Sequence, residues 1–232
     1  MEYSVLHGPV FSVLEIHMDQ GELVMTQPDC MLSMTSGLQL SATVGRRDQG
    51  KPGNAWLSGA KSLLGGESMF TAEFFAKKDG QVLTLAPSVQ GDILCIQLDE
   101  KSGVYLTRGG YLANIGDCNL QIKYGGVKGL MSKKGLFLLH AIGTGTVFCQ
   151  TYGAILEKEL AEDEHFFLDN RYAVAFSETV KYQLVKATGT VRESIMSGEG
   201  LIIRYTGPGK VYYQTRAKAP INFLSYLFTS SI

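Results

Sequence analysis

The sequence predicts an all-β fold built from three internal pseudo-repeats. Three observations predict it. Short runs of β-forming residues alternate with turn signals every ~8–12 residues, the rhythm of a sandwich or barrel. Glycine is abundant, at 27 of 232 residues, and spread along the whole chain, as a protein with many turns requires. One design also occurs three times: an apolar run, a glycine-bearing turn and a second run. The last copy is Leu201–Thr206, Gly207-Pro208-Gly209 and Val211–Arg216. The middle copy is Leu136–Ile142, Gly143-Thr144-Gly145 and Val147–Thr151. The first is Met69–Ala76, Asp79-Gly80 and Val82–Ala86. Each reads as a β-hairpin. Pro208 followed by Gly209 suits a type II turn, because proline presets φ and glycine supplies a positive φ.

Taken in order, Val10–His17 reads as a strand ending at Gln20-Gly21, and Leu23–Thr26 as the next. Gln27-Pro28-Asp29 breaks the chain before two short strands, Cys30–Met34 and Leu38–Val44. Residues 45–54 form a polar loop. Ala55–Leu64 is the one helical signal, with Trp56, Ala60 and Leu63 on one face, Asn54 as N-cap and Gly65-Gly66 as the stop. After the first hairpin the pattern returns. Gly91–Leu98, Val104–Thr107, Tyr111–Ile115 and Leu120–Tyr124 precede the second hairpin. Tyr152–Leu160, Phe166–Asp169, Tyr172–Phe176 and Val180–Val185 precede the third. The chain therefore reads as one all-β domain, 1–232, with pseudo-repeats near 10–88, 89–151 and 152–217. An apolar tail, 218–232, lies outside the pattern, and the Tyr172–Val174 region is expected in the core. A repeat of this size is a supersecondary unit whose apolar face is covered by its neighbours.

The bulk numbers narrow the function. Hydrophobic residues make up 45% and charged residues 19%, ordinary for a globular protein, and the formal net charge is −1. No electrostatic footprint for nucleic acid or an anionic membrane is present. Cys30, Cys95, Cys118 and Cys149 lack CxxC spacing and recur at no common place in the repeats, so they read as reduced thiols. The first residues carry neither a basic n-region nor an apolar h-region, and no apolar run approaches the ~20 residues of a spanning helix. A cytoplasmic protein is expected.

Several runs carry a family likeness: Leu64-Gly-Gly-Glu-Ser-Met-Phe70, Leu85-Ala-Pro-Ser-Val-Gln-Gly-Asp-Ile93, Thr151-Tyr-Gly-Ala154, Ala175-Phe-Ser-Glu-Thr-Val180, and Gly198–Leu201 with Gly207–Val211 and Gln214-Thr-Arg216. Together they resemble the altered-inheritance-of-mitochondria protein 24 family over roughly residues 10–217. The resemblance implies a shortened double-stranded β-helix, grouped with the tryptophan-responsive RNA-binding attenuator proteins. It implies a family widespread in bacteria, whose mitochondrial branch is linked to inner-membrane organisation, with no established catalytic residues to carry over. Ser68 stands where the family usually has glycine, and the first hairpin is longer by about two residues, which touches only the local turn.

Candidate chemistry is sparse. Gly45-Arg-Arg-Asp-Gln-Gly50-Lys51 has the spacing of a phosphate loop, but Pro52 replaces the hydroxyl residue that would meet Mg²⁺, so a solvated loop is the reading. A cupin-like metal centre needs a tight His-x-His and a carboxylate. His7, His17, His140 and His165 supply no such motif. Glu157–Glu164 reads as a solvated acidic run. Lys123, Lys128, Lys133 and Lys134 beside Tyr124 form one basic stretch that is not repeated in the other units, so RNA binding is not expected. Phe148, Tyr152, Tyr205, Tyr212 and Tyr213 read as core and cross-strand aromatics or as a flat binding face.

The expectation is accordingly a non-catalytic assembly or interaction module that forms homo-oligomers, without catalytic, cofactor or metal residues. Many strands mean many edges, and self-association covers edges. Lys186 and Lys210 at strand ends could instead guard them. The alternative is a small-ligand-binding domain with a cleft between repeats; a metal-dependent enzyme or an RNA binder ranks below both.

Overall fold

A computed structural model describes residues 1–44, 70–107, 109–125, 136–186 and 201–217. It is all-β, with no helix among the described residues. The helix expected at 55–64, the 45–54 loop with its phosphate-loop spacing, and the 218–232 tail lie outside them. The described residues form seventeen strands, in order β1 (Glu2–Leu6), β2 (Val13–Met18), β3 (Leu23–Thr26), β4 (Met31–Met34), β5 (Leu38–Val44), β6 (Phe70–Ala76), β7 (Gln81–Leu85), β8 (Ile93–Leu98), β9 (Val104–Thr107), β10 (Tyr111–Gly125), β11 (Leu136–Gln150), β12 (Ile155–Leu160), β13 (His165–Asp169), β14 (Ala173–Ser177), β15 (Lys181–Lys186), β16 (Leu201–Thr206) and β17 (Gly209–Gln214).

They form three antiparallel sheets. One has the order β1-β2-β7-β4. The largest runs β12-β17-β14-β9-β11-β10-β3-β6-β5, with β8 on β11. The third is β13-β16-β15. Strand β1 was not anticipated. It adds to β2 with Val5 opposite Leu14, and its half-buried Tyr3 and Val5 pack on the first core cluster.

The expected hairpins are corrected. Strand β6 pairs with β3 and β5, whereas β7 pairs with β2 and β4; the two do not pair with each other. The same holds for β16, which pairs with β13 and β15, and β17, which pairs with β12 and β14. The chain crosses from one sheet to the next where a hairpin would fold back. Apolar alternation tells which face of a strand is buried, and that is equally satisfied by a fold-back and by a crossing. Gly207-Pro208-Gly209 therefore links two sheets and closes no hairpin between β16 and β17.

In the middle copy there is no turn at all. Strand β11 runs unbroken through Gly143-Thr144-Gly145, and β10 runs unbroken opposite it, joining two strands that the sequence reading kept apart. The glycines serve close approach here. A Cβ on Gly143 would stand 2.2 Å from the Asp117 carbonyl oxygen, and one on Gly145 2.1 Å from that of Ile115.

Three ladders share a spacing. Leu23 and Gln39 both face Phe75; Leu106 and Ile122 both face Leu139; His165 and Lys181 both face Thr206. The flanking residues are sixteen positions apart each time (39 less 23, 122 less 106, 181 less 165). A β-bulge also interrupts the pairing between Met31 and Ser33, between Tyr111 and Ala113, and between Ala173 and Ala175.

The core forms three clusters. Leu14, Ile16, Phe74, Leu83, Leu85 and Phe148 centre the first. Leu98, Leu106, Val147, Cys149 and Val174 belong to the second, and Leu138, Phe176, Ile203, Tyr205 and Val211 to the third. Alternate positions of β2 (Leu14, Ile16, Met18) point inward, as a half-buried strand demands. The expected core region at 172–174 is there, with Ala173 and Val174 buried and Tyr172 half-buried. Among the predicted aromatics, Phe148 and Tyr205 are fully buried, while Tyr152, Tyr212 and Tyr213 are half-buried.

Candidate functional site

Strand β4 presents an uncommonly apolar edge. Its sequence, Met-Leu-Ser-Met, has no charge and no proline, and all four residues are exposed. Among the described residues it pairs with β7 alone and ends its sheet. An exposed apolar edge strand is a ready template for another strand, and proteins usually blunt one with charge or proline. The places that follow the first residue of the bulge in the other two bulged strands behave differently. Leu112 on β10 is 0% exposed and Val174 on β14 is 2% exposed, against 60% for Leu32 on β4. Leu112 belongs to the first core cluster and Val174 to the second, and the strand of each has a neighbour on its outer side. Strand β10 is covered by β3, and β14 by β9.

Among the described residues strand β13 is another sheet end with an exposed apolar side chain, although it also carries Asp169. It ends the three-stranded sheet, and its Phe167 is 53% exposed. Sequence reasoning looked for clustered polar chemistry and passed over both edges. The signal was available in Cys30–Met34, an apolar run without alternation in a strand too short for two-sided burial.

The histidines do not converge. His7 is exposed, His17 is paired with Glu15 at 3.1 Å, and His165 lies 3.0 Å from the Thr206 hydroxyl. Among the described residues no group of three or more His, Cys, Asp and Glu is placed to hold a metal ion. His140 is the unusual one. Strand β11 places it opposite Tyr105 of β9, and its ring stacks on that tyrosine at 4.5 Å. It is buried, and neither ring nitrogen makes a hydrogen bond. Nε2 stands 3.4 Å from Oε1 of Glu178, within ion-pair reach but without hydrogen-bond geometry. The other carboxylate oxygen of Glu178 accepts the Gly103 N–H. A buried unpaired polar ring costs ~1–3 kcal/mol, and an apolar replacement relieves that cost. His140→Leu is therefore expected to unfold in urea within about 1 kcal/mol of the wild type. A loss of about 3 kcal/mol or more would show that the contact with Glu178 holds this region together.

The remaining candidates are ordinary surface or core groups. In the acidic run Lys158 pairs with Glu164 and Lys210 with Glu157, each at 2.7 Å. Lys210 lies on β17, inside its sheet between β12 and β14, so it guards no edge. Lys186 is on β15, which does end a sheet. Of the basic stretch, Lys123 is exposed on β10 and the other three lysines lie outside the described residues. All four cysteines are free. Burial pushes the Cys95 and Cys118 thiols up to about 11, so both are protonated at neutral pH. No helix among the described residues is long and apolar enough to cross a membrane.

The family model described as mitochondrial biogenesis AIM24 matches residues 3–216, nearly the whole chain. The chain belongs to the AIM24 family. Among curated proteins it is similar to an uncharacterized protein of Streptococcus pyogenes serotype M6, with 29% identity over 219 residues, covering 93% of this chain and 86% of the relative. Among solved structures it is similar to the crystal structure of the protein SPYM3_0169 from Streptococcus pyogenes. There the TM-score is 0.74 at 25% identity, covering 99% of this chain and 97% of the other. The AIM24 match begins at Tyr3, so it takes in strand β1, which the sequence reading missed, and it ends at Arg216, just beyond β17.

Proposed function

We propose that this AIM24-family chain is a non-catalytic assembly module, built of three like units and forming homo-oligomers. The observation that carries the reading is the exposure of Leu32 at a place where the other two units bury theirs. Further support for three like units comes from the common sixteen-residue spacing and the three matching bulges. On this reading the units are shortened double-stranded β-helix repeats running near 10–88, 89–151 and 152–217, in a cytoplasmic protein. Protonated thiols at Cys95 and Cys118 make these two cysteines poor nucleophiles, since the thiolate is the reactive form.

Native mass spectrometry of the wild-type chain tests the reading, with Leu32→Lys/Met34→Lys as the comparison. Two lysines on an apolar edge must be desolvated for another strand to pair there. The wild type is expected as a discrete oligomer, and the variant to dissociate at concentrations at least about tenfold higher, equivalent to about 1.4 kcal/mol. A wild type that stays monomeric at micromolar concentration overturns the proposal.

A second reading, a small-ligand-binding domain, is favoured by His140 alone, whose two ring nitrogens have no partner beside the half-exposed Glu178. A reproducible added mass in the same spectra, lost in His140→Leu, would be its signature.

A further inference from the structure

The proposed assembly leaves open which surfaces meet, and the strand pairing answers that. We propose that copies of this chain join head to tail, with β4 of one copy adding antiparallel to β13 of the next, Met34 opposite Phe167 and Ser33 opposite Leu168. The inference rests on the reading of the chain as three like units.

Two joints of this kind already exist inside one chain. In the first, β3 meets β10, with Met25 opposite Asn114 and Thr26 opposite Ala113. In the second, β9 meets β14, with Tyr105 opposite Phe176 and Leu106 opposite Ala175. Three units in series make two joints and leave two ends. Strand β4 is the first unit's counterpart of β10 and β14, because all three carry the bulge at the same place. Strand β13 is the third unit's counterpart of β3 and β9, because each sits sixteen positions before a second strand on the same central partner.

The register follows from those two marks. Ser33, Ala113 and Ala175 hold one place after the bulge. Nine residues on, Ala42, Ile122 and Leu184 lie opposite Ala72, Leu139 and Ile203 (42 less 33, 122 less 113, 184 less 175). The residues that face those same partners from the other side are Thr26, Leu106 and Leu168. Thr26 and Leu106 pair with Ala113 and Ala175. Leu168 is left for Ser33, and Phe167 for Met34.

Exposure agrees with a missing partner on both sides. Ala113, Asn114, Ala175 and Phe176 are buried in the joints that are made, whereas Ser33 and Met34 are exposed. Thr26 and Leu106 are fully buried, whereas Leu168 is half-buried and Phe167 exposed. The bulge in β4 is no defence, since β10 and β14 carry it and are paired. Among the described residues β4 and β13 end different sheets and share no ladder, and the two joints already made between like strands favour a second copy as the occupant. The two patches differ, so the contact is heterologous, and it either closes as a ring or runs on as a filament.

The test uses cysteine pairs in the full chain. Met34→Cys and Phe167→Cys are purified separately, checked for wild-type thermal unfolding, mixed and mildly oxidised. A covalent dimer formed in the mixture, and from neither variant alone, is expected. The double variant should give a ladder of chain multiples. A double variant cross-linked only within single chains overturns the proposal, because the joint then closes internally. Wild-type oligomers whose variants fold but do not cross-link also overturn it while leaving the assembly reading intact. A monomeric wild type overturns both. Amide exchange of the wild type covers the case in which a variant misfolds: residues 31–34 and 165–169 should slow together as concentration rises through the assembly midpoint. Exchange there that is independent of concentration, in a protein that does oligomerise, counts against the joint.

Discussion

Phe148→Ala is expected to lower the free energy of unfolding by about 3–5 kcal/mol, close to the whole stability of many domains. Phe148 lies on β11 opposite Cys95 of β8 and Ala113 of β10, so its backbone is held from both sides. Its side chain is fully buried in the cluster that also contains Leu14, Phe74 and Leu112. The ring meets the edge of Tyr3 at 4.8 Å, which ties β1 to a strand more than a hundred residues away. Held on both sides, β11 cannot move in to fill the space, so the cavity term adds to the lost burial. Urea unfolding is the measurement, with Leu156→Ala, at an exposed site, as the control expected to change little. A loss under about 1.5 kcal/mol for Phe148→Ala would mean that this cluster collapses freely, contrary to its two-sided support.

Gly91→Ala is expected to have the second large effect, a loss of about 3 kcal/mol. Gly91 makes isolated parallel bridges to both Phe11 and Gly153, so three segments that open successive runs of strands meet there. Ser12 donates its N–H to the Gly91 carbonyl, and Gly153 donates to that of Gln90. A Cβ on Gly91 would stand 2.0 Å from the Thr151 carbonyl oxygen and 2.7 Å from the Gly153 nitrogen. Both are backbone atoms, which no rotamer change moves aside. Relief requires the segments to separate, at the cost of the hydrogen bonds that hold them. Gly80→Ala separates this collision from the ordinary cost of a left-handed residue, since Gly80 has φ 65° and open space around it. That control should lose ~1–2 kcal/mol. If Gly91→Ala loses no more than Gly80→Ala, the three-way meeting is not a constraint on the fold.

Much of the strand content was legible in the sequence. Strands β3, β5 and β9 begin and end where the apolar runs and their breakers place them. What alternation cannot encode is the partner. Val82 and Leu83 look the same whether β7 folds back on β6 or crosses to β2 and β4, and it crosses. Gly143 and Gly145 read as a turn because glycine permits one, yet the same lack of a side chain lets β10 and β11 run close together unbroken.

The candidate site shows the same division. Its residues are in view in the sequence, where Cys30–Met34 reads as a short strand. Their significance is not, because an apolar residue is informative only when its exposure is known. Leu32, Leu112 and Val174 are interchangeable as letters, and tertiary contacts, among them β3 beside β10 and β9 beside β14, make two of them core and one surface. The sequence by itself determined that this chain is all-β and where most of its strands lie, because side-chain alternation and turn chemistry are local properties. Tertiary structure alone decided which strands pair and which edges stay open, because pairing depends on residues far apart in the chain meeting in space.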